Sequence, residues 1–134
     1  MRIVGIDFGL ARIGIAISDP MQMIATVLET SPAKEGPQGV LDRLKDYLSE
    51  VSSFVVGLPL ELSGKVGKMA EGAKAFGEAL EKLSGLPVKM WDERLTSAQA
   101  EKGLKSAGFN RKKRAQKSDA AAAVLILQSF LDSL

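Results

Sequence analysis

The sequence contains neither cysteine nor histidine, and only 5% of its residues are aromatic. Without cysteine, the chain cannot form disulfides, thiolate zinc sites or a thiol nucleophile. Without histidine, it lacks the commonest general base, the Ser-His-Asp triad and every histidine-ligated metal site. Any catalysis near neutral pH must therefore use carboxylates, lysine, arginine, hydroxyls or a hard cation held by oxygen ligands, such as Mg²⁺ or Mn²⁺.

Long hydrophobic runs are also missing. The longest wholly apolar run is the eight residues from Ala120 to Leu127, whereas roughly 20 residues are needed to cross a bilayer. Asp7 interrupts the first apolar stretch, so we expect no secretory signal. With 134 residues, of which 46% are hydrophobic, the sequence predicts one globular domain spanning residues 1–134, located in the cytoplasm and without a membrane partner.

Positive charge is concentrated in one short stretch, which we call the basic segment (residues 111–117). The whole chain has a formal net charge of +2, and this segment contributes +5 without any acid, which leaves −3 for the remainder. A basic run is most often a solvated loop, but it also fits contacts to phosphates. The charged residues of the segment are Arg111, Lys112, Lys113, Arg114 and Lys117.

The first part of the chain has the pattern of antiparallel strands. The run from Arg2 to Asp7 is rich in β-branched residues and predicts a buried strand. Residues 9–12 predict a hairpin turn, after which Ile13, Ile15 and Ile17 alternate with small residues, as in a second strand. A third strand is predicted over Ala25 to Thr30, and the proline and glycine content of residues 31–39 predicts a loop.

The rest of the chain alternates between helical and strand patterns. We predict helices from apolar stripes over residues 40–51, 66–83 and 119–131, a further helix between the capping box of Thr96 and Gln99 and Gly108, and buried strands over 54–58 and 88–91. The resulting order, βββαβαβαα, is typical of an α/β fold with a mixed five-stranded sheet and helices on both faces.

Acidic residues stand at the ends of three of these predicted elements. Asp7 ends the first strand, Asp92 and Glu93 follow the last strand, and Asp119 opens the last helix. Each has a simple structural alternative: Asp7 could turn the chain, Asp92 and Glu93 could pair with Arg94, and Asp119 could stabilise a helix dipole. Strand alternation places Asp92 and Glu93 on opposite faces, so only one of them is expected in a shared site.

Three carboxylates on three elements, in a chain without histidine, suit a phosphoryl-transfer site that uses two cations. In such sites, two metal ions about 4 Å apart activate a water and stabilise the leaving oxygen. The basic segment ends only two residues before Asp119, so phosphates bound there would lie close to these acids. The pattern therefore suits a phosphoryl-transfer reaction with Mg²⁺ or Mn²⁺ as the cofactor.

Four sequence blocks, taken together, resemble the YqgF (RuvX) family, within the RuvC-like branch of the RNase H fold. The blocks span nearly the whole chain: Asp7 to Ala16, Val56 to Leu60, Asp92 to Thr96, and Lys117 into Gln128. The resemblance implies the superfamily's three-acid metal site, carried onto Asp7, Glu93 and Asp119, with Asp92 as the substitute for Glu93. It also implies that Arg12, Arg94 and the basic segment position the nucleic-acid backbone.

The resemblance implies a metal-dependent nuclease that matures the 5′ end of 16S rRNA from its precursor and so encounters ribosomal particles. The alternatives are a resolvase acting on four-way DNA (Holliday) junctions, and a non-catalytic RNA-binding factor in ribosome assembly. The Asp-x-Gly hairpin also opens the fold of actin and hexokinase, but those enzymes close two domains over a nucleotide, and this sequence predicts one. We expect a monomer or a weak homodimer.

Overall fold

The computed structural model describes residues 1–59, 67–92 and 111–134, and it describes side chains in the last range from residue 121 onward. Three α-helices and five strands lie in these ranges. The strands are β1 (Arg2–Phe8), β2 (Arg12–Ser18), β3 (Ala25–Pro32), β4 (Val51–Leu58) and β5 (Val88–Asp92). The helices are α1 (Gly36–Arg43), α2 (Lys68–Ser84) and α3 (Arg111–Asp132).

The five strands form one mixed sheet in the order β3-β2-β1-β4-β5. β2 pairs antiparallel with both β1 and β3, whereas β4 pairs parallel with both β1 and β5. The predicted mixed five-stranded sheet, with its first three strands antiparallel, is therefore confirmed. The helix predicted to begin at the capping box of Thr96 and Gln99 and to end at Gly108 lies outside the described residues.

Alternation along β1 creates two cores, one on each face of the sheet. On one face, the α2-side core contains Val4 and Ile6 of β1, and the ring of Phe8 packs 5.4 Å from that of Phe76 on α2. On the other face, Ile3 belongs to the α3-side core. The main members of the α3-side core are Ile3, Ala16, Val55, Ala123, Ile126, Leu127, Phe130 and Leu131.

Helix α3 lies very close to β1 because Gly5 has no side chain. A Cβ atom built on Gly5 would lie 2.6 Å from Cβ of Leu127 and 3.0 Å from the carbonyl oxygen of Ala123. The partner of Gly5 on β2 is Ala16, another small residue. Small residues at the crossing point therefore let the helix backbone approach the sheet.

The first helix is shorter than the sequence pattern predicted. The predicted helix over residues 40–51 and the predicted loop over residues 31–39 are both wrong in extent, because α1 begins at Gly36 and ends at Arg43. Pro37 fits in the first turn of α1, where its missing N–H costs nothing. Beyond Arg43 the chain continues through turns and a 3-10 helix (Leu48–Glu50), whose period of three residues prolongs the apolar stripe.

The last helix is longer than predicted, since it includes the basic segment. Helix α3 is continuous from Arg111, so the residues expected to form a loop are its first two turns. Arginine, lysine, alanine and glutamine all have good helix propensity, which explains this outcome. Asp119 therefore lies in the third turn of α3, and the prediction that it opens the helix is wrong. The stabilisation of a helix dipole, which falls off within the first turn, does not explain its position.

The connection between β2 and β3 is organised by the carboxylate of Asp19. This carboxylate accepts hydrogen bonds from the backbone N–H groups of Met21, Met23 and Ile24, at 3.1, 2.8 and 2.8 Å. The hydrogen bond from Ile24, followed by that from Met23, lowers the pKa of Asp19 below its usual value of 3.8.

Among the described residues, no helix is long and apolar enough to span a membrane.

The close approach at Gly5 predicts a specific loss of stability. Gly5→Ala adds a methyl group against the backbone of α3, and we expect it to lower the free energy of unfolding by about 2 kcal/mol. In the control Gly72→Ala on α2, the new Cβ would lie 3.1 Å from an edge atom of Phe8, and the gain in helix propensity of about 1 kcal/mol offsets this crowding. Chemical denaturation of both variants tests this difference, and equal stabilities would contradict it.

The hydrogen bonds to Asp19 predict a pH dependence. Because its pKa is lowered in the folded protein, the stabilisation is present above the ordinary carboxyl pKa of 3.8 and is lost as the pH falls through the lowered value. We therefore expect Asp19→Asn to be less stable than wild type near neutral pH, with the difference shrinking below about pH 4. Denaturation curves across that range measure the difference in unfolding free energy between the two proteins. A difference that does not change with pH would refute the stabilising role of the Asp19 carboxylate.

Candidate active site at the carboxyl edge of the parallel strands

The three parallel strands β1, β4 and β5 bring their carboxyl ends to one edge of the sheet. Ile6 of β1 is the partner of Val56, and on the other side of β4 the partners are Gly57 with Trp91 and Leu58 with Asp92. Asp7 and Asp92, which were predicted from separate parts of the sequence, therefore lie at the same edge. Open α/β sheets bind their ligands at this edge.

Asp7 is a buried carboxylate and does not lie in the turn. It is 9% exposed and is the only charged side chain among the described buried residues. Its partner in the β1–β2 ladder is Gly14, and the strand continues through Phe8. Burial of an ionised carboxylate is costly unless donors or a cation compensate it. Asp7 lies within the β1–β2 ladder, so the interpretation of Asp7 as a turn residue is not supported.

Asp7 lies on the face of the sheet that α3 covers. This assignment follows from alternation along β1, because Ile3 belongs to the α3-side core and Gly5 faces Leu127. The flanking residues Ile6 and Phe8 pack on the opposite face.

Asp92 belongs to the opposite face from Asp7. Along β5, Val88 and Met90 pack against the α2-side core, whereas Trp91 packs against the α3-side core. Two residues after Met90, Asp92 has the register of the α2 face, and it is exposed at the end of the strand. Glu93 and Arg94 lie outside the described residues.

Asp119 is placed by the backbone of α3, although its side chain lies outside the described residues. It precedes Ala123 by one helical turn, and the Ala123 carbonyl is one of the atoms that a Cβ at Gly5 would meet. The side chains of Arg111, Lys112, Lys113, Arg114 and Lys117 are likewise outside the described residues, so their contacts remain predictions.

Arg12 shares the face of Asp7. It is the first residue of β2, and alternate residues of a strand face the same side of the sheet. Arg12 therefore shares the face of Gly14, which pairs with Asp7, and of Ala16, which belongs to the α3-side core. The hairpin that precedes it is tight, because a Cβ on Gly9 would lie 2.5 Å from the carbonyl oxygen of Arg12. Gly9 is therefore required by the turn, and it brings the guanidinium-bearing strand next to the carboxylate-bearing one.

One residue of this edge was not singled out in the sequence. The indole Nε1–H of Trp91 donates a 3.1 Å hydrogen bond to the hydroxyl of Ser129 on α3, and its ring meets that of Phe130 edge-on at 5.3 Å. The signal that could have drawn attention to it is that Trp91, the only tryptophan of the chain, directly precedes the two acids. A polar Ser129 near the apolar stripe of α3 is a second signal.

The donors at this edge suit a hard divalent cation. A buried carboxylate offers oxygen ligands, and the chain has no thiolate or imidazole that would favour a softer ion. Among the described residues no three acidic side chains cluster, since only Asp7 and Asp92 of the four predicted acids have described side chains. What is described therefore fits Mg²⁺ or Mn²⁺ in its donor chemistry.

Comparison with known proteins gives matches over the whole chain. A family model named RuvX, described as "Holliday junction resolvase", matches residues 1–133. The "Putative pre-16S rRNA nuclease" of Protochlamydia amoebophila is 41% identical over 140 residues, which cover 98% of this chain and 93% of that protein. The protein of the same name from Listeria monocytogenes is 46% identical over 136 residues, which cover 99% of each.

Two solved structures share the fold. "T. thermophilus RuvC in complex with Holliday junction substrate" aligns with a TM-score of 0.52 and 19% identity, over 99% of this chain and 95% of that chain. A second Thermus thermophilus RuvC structure aligns with a TM-score of 0.51 and 18% identity, over 99% and 96%. The predicted RuvC-like, RNase H-like α/β fold is therefore confirmed. Matches of this extent, on a chain whose sheet buries an aspartate at its carboxyl edge, place this protein in the RuvX family.

Proposed function

We propose that this protein is a divalent-metal-dependent nuclease that matures the 5′ end of 16S rRNA from its precursor. The observation that carries this proposal is its full-length identity, 46% in the case of Listeria monocytogenes, with relatives named as pre-16S rRNA nucleases. The buried Asp7 at the carboxyl edge supports it, because a nuclease without histidine needs carboxylates to hold its metal ions.

We propose that Asp7, Glu93 and Asp119 hold the metal ions. Asp7 is the best supported, since it is buried on the α3 face of the sheet. Asp92 has the register of the other face. The sequence-based expectation that only one of the two acids enters the shared site then leaves Glu93. This argument favours Glu93 over Asp92. Asp119 is favoured because it precedes, by one turn, the residue at which α3 crosses Gly5.

The chemistry divides between the metal ions and the residues of the chain. When bound, a pair of Mg²⁺ or Mn²⁺ ions would activate a water and stabilise the leaving oxygen of an in-line displacement at phosphorus. Asp7, held rigidly in the sheet, fixes one side of the site. Arg12 begins the neighbouring strand on the same face, where its guanidinium can bind a backbone phosphate and orient it. Arg94 is proposed to do the same.

The basic segment is the proposed binding element for the nucleic-acid backbone. Its seven residues form the first two turns of α3, so five positive charges are gathered within about 10 Å along the helix axis. The rest of the chain carries −3. Attraction to the phosphates therefore depends on this segment, which continues directly into the turn that contains Asp119.

A resolvase acting on four-way DNA junctions is the second candidate. The observation in its favour is the description of the matching family model as "Holliday junction resolvase". Two coordinated cuts across a junction require a two-fold dimer, whereas cleavage at a single RNA site does not. The oligomeric state and the choice between RNA and DNA are therefore tested together.

We predict that Asp7→Asn abolishes cleavage without abolishing binding. End-labelled precursor 16S rRNA and a four-way DNA junction are incubated with Mn²⁺ or with EDTA, and we expect Mn²⁺-dependent RNA cleavage that falls at least about 100-fold in the variant. The control is Asp46→Asn, the same change at an exposed position elsewhere. Cleavage of the junction alone would favour the resolvase, and equal binding without any cleavage would favour the RNA-binding factor.

The same variant predicts a change in metal-dependent stability. Clustered carboxylates repel one another when no cation is bound, so Mn²⁺ should raise the melting temperature of the wild type. Asp7→Asn removes one of these charges and one ligand, and we expect its melting temperature to respond much less to Mn²⁺. Differential scanning fluorimetry without nucleic acid measures both proteins, and an equal response would rule out Asp7 as a ligand.

We predict that the basic segment sets the salt dependence of RNA binding. If it contacts about four phosphates, affinity should fall roughly 100-fold between 50 and 200 mM salt, and only about tenfold in Lys112→Gln/Lys113→Gln. The control Lys45→Gln/Lys82→Gln removes the same charge from exposed positions away from the carboxyl edge. Binding titrations at several salt concentrations give the slopes, and identical slopes would exclude this segment.

A further inference from the structure

Side chains of β5 and α3 form a linked set of contacts next to the candidate site. The Nε1–H of Trp91 donates to Oγ of Ser129 at 3.1 Å, and the Trp91 and Phe130 rings meet at 89° with centroids 5.3 Å apart. The ammonium group of Lys89 lies 5.6 Å from the centre of the same Phe130 ring. These contacts join the strand that leads into Glu93 to the helix that carries Asp119.

The neighbouring residue of α3 is bound to the other side of the sheet. Gln128 accepts a hydrogen bond from the backbone N–H of Ala25 at 2.9 Å and donates one to the carbonyl of Met23 at 3.0 Å. Ala25 begins β3, which lies at the opposite edge of the described sheet from β5. Consecutive residues of the helix, Gln128 and Ser129, therefore hydrogen-bond towards opposite edges, which fixes the rotation of α3 about its own axis.

The apolar contacts of α3 fix this rotation less precisely than its hydrogen bonds do. The packing of Ala123 and Leu127 on Gly5 sets the height of the helix above β1, but apolar contacts have no preferred direction, unlike hydrogen bonds. Asp119 precedes Ser129 by ten residues, or about 15 Å of helix. Because a rotation about the axis is carried along the helix, a turn of about 10° would move a carboxylate about 6 Å from the axis by roughly 1 Å, whereas ligand distances at a metal site hold to about 0.2 Å.

We propose that Trp91 is a positioning residue for the metal site. Through its hydrogen bond to Ser129, it sets the spacing between the acidic end of β5 and Asp119 on α3, and so determines how tightly the carboxylates bind a divalent cation. This inference rests on the proposed function, because it takes the three-acid metal site as given. Trp91 itself need not touch the metal ion or the nucleic acid.

The test is calorimetric titration of the nucleic-acid-free protein with Mn²⁺. Ser129→Ala removes the acceptor of the indole hydrogen bond, and we expect it to weaken Mn²⁺ binding about fivefold. Ser129→Thr keeps a hydroxyl and should restore wild-type affinity. The matched control is Ser133→Ala, which removes a hydroxyl just after α3 that donates to the carbonyl of Phe130 on that helix, and its Mn²⁺ affinity should equal that of the wild type.

The single tryptophan gives a second, spectroscopic measurement. Loss of the Ser129 acceptor leaves the indole N–H of Trp91 to other partners. The wavelength of maximum tryptophan fluorescence of metal-free Ser129→Ala should therefore shift relative to wild type, and that of Ser133→Ala should not. Trp91→Phe keeps an aromatic ring against Phe130 but cannot donate. We expect it to weaken Mn²⁺ binding as much as Ser129→Ala does.

The outcomes separate this inference from the proposed function. If the wild type binds Mn²⁺ and both Ser129→Ala and Trp91→Phe bind it equally well, the positioning role is refuted and the metal-dependent nuclease stands. A lower melting temperature with unchanged Mn²⁺ affinity likewise refutes it, since that result describes a purely structural contact. If the wild type itself binds no Mn²⁺, the proposed metal site fails before the role of Trp91 arises.

Discussion

The close contact between α3 and β1 at Gly5 is the constraint on which the rest of this structure depends. A single added methyl group at Gly5 would lie 2.6 Å from Cβ of Leu127, so the helix can cross the sheet here only over glycine, with alanine as its neighbour on β2. This crossing forms the α3-side core. It also puts the helix over the face on which Asp7 lies, two residues further along the same strand.

The carboxyl edge of the sheet, next to this crossing, gathers acidic residues from separate elements. Asp7 is buried at the edge where the three parallel strands end, and a carboxylate in such a position needs donors or a cation around it. The acidic residues proposed for the site come from β1, from the end of β5 and from α3, which are distant in sequence. Each element is fixed in its own way: β1 by strands on both sides, α3 by Gly5 and Gln128, and β5 by β4 and the contacts of Trp91.

Sequence periodicity predicted the strands well and the helix ends poorly. Alternation in β2 and the apolar runs of β1 and β4 are dictated by which face of the sheet each side chain occupies, so the pattern and the structure agree. The stripe from Val40 to Val51 was misleading, because turns and a 3-10 helix repeat with nearly the same period as an α-helix. The charge of the basic segment suggested a loop, although its residues favour a helix.

The sequence by itself determined the class of chemistry and the order of the elements. Catalysis by a chain without histidine or cysteine must use carboxylates, lysine, arginine, hydroxyls or a hard cation held by oxygen ligands. Hydrophobic periodicity is a local property that short windows of sequence contain. Only the tertiary structure decided that Asp7 is buried, that Asp92 has the register of the opposite face, and that Trp91 reaches Ser129. These facts depend on strand register and on the placement of α3, which arise from contacts between residues far apart in the chain.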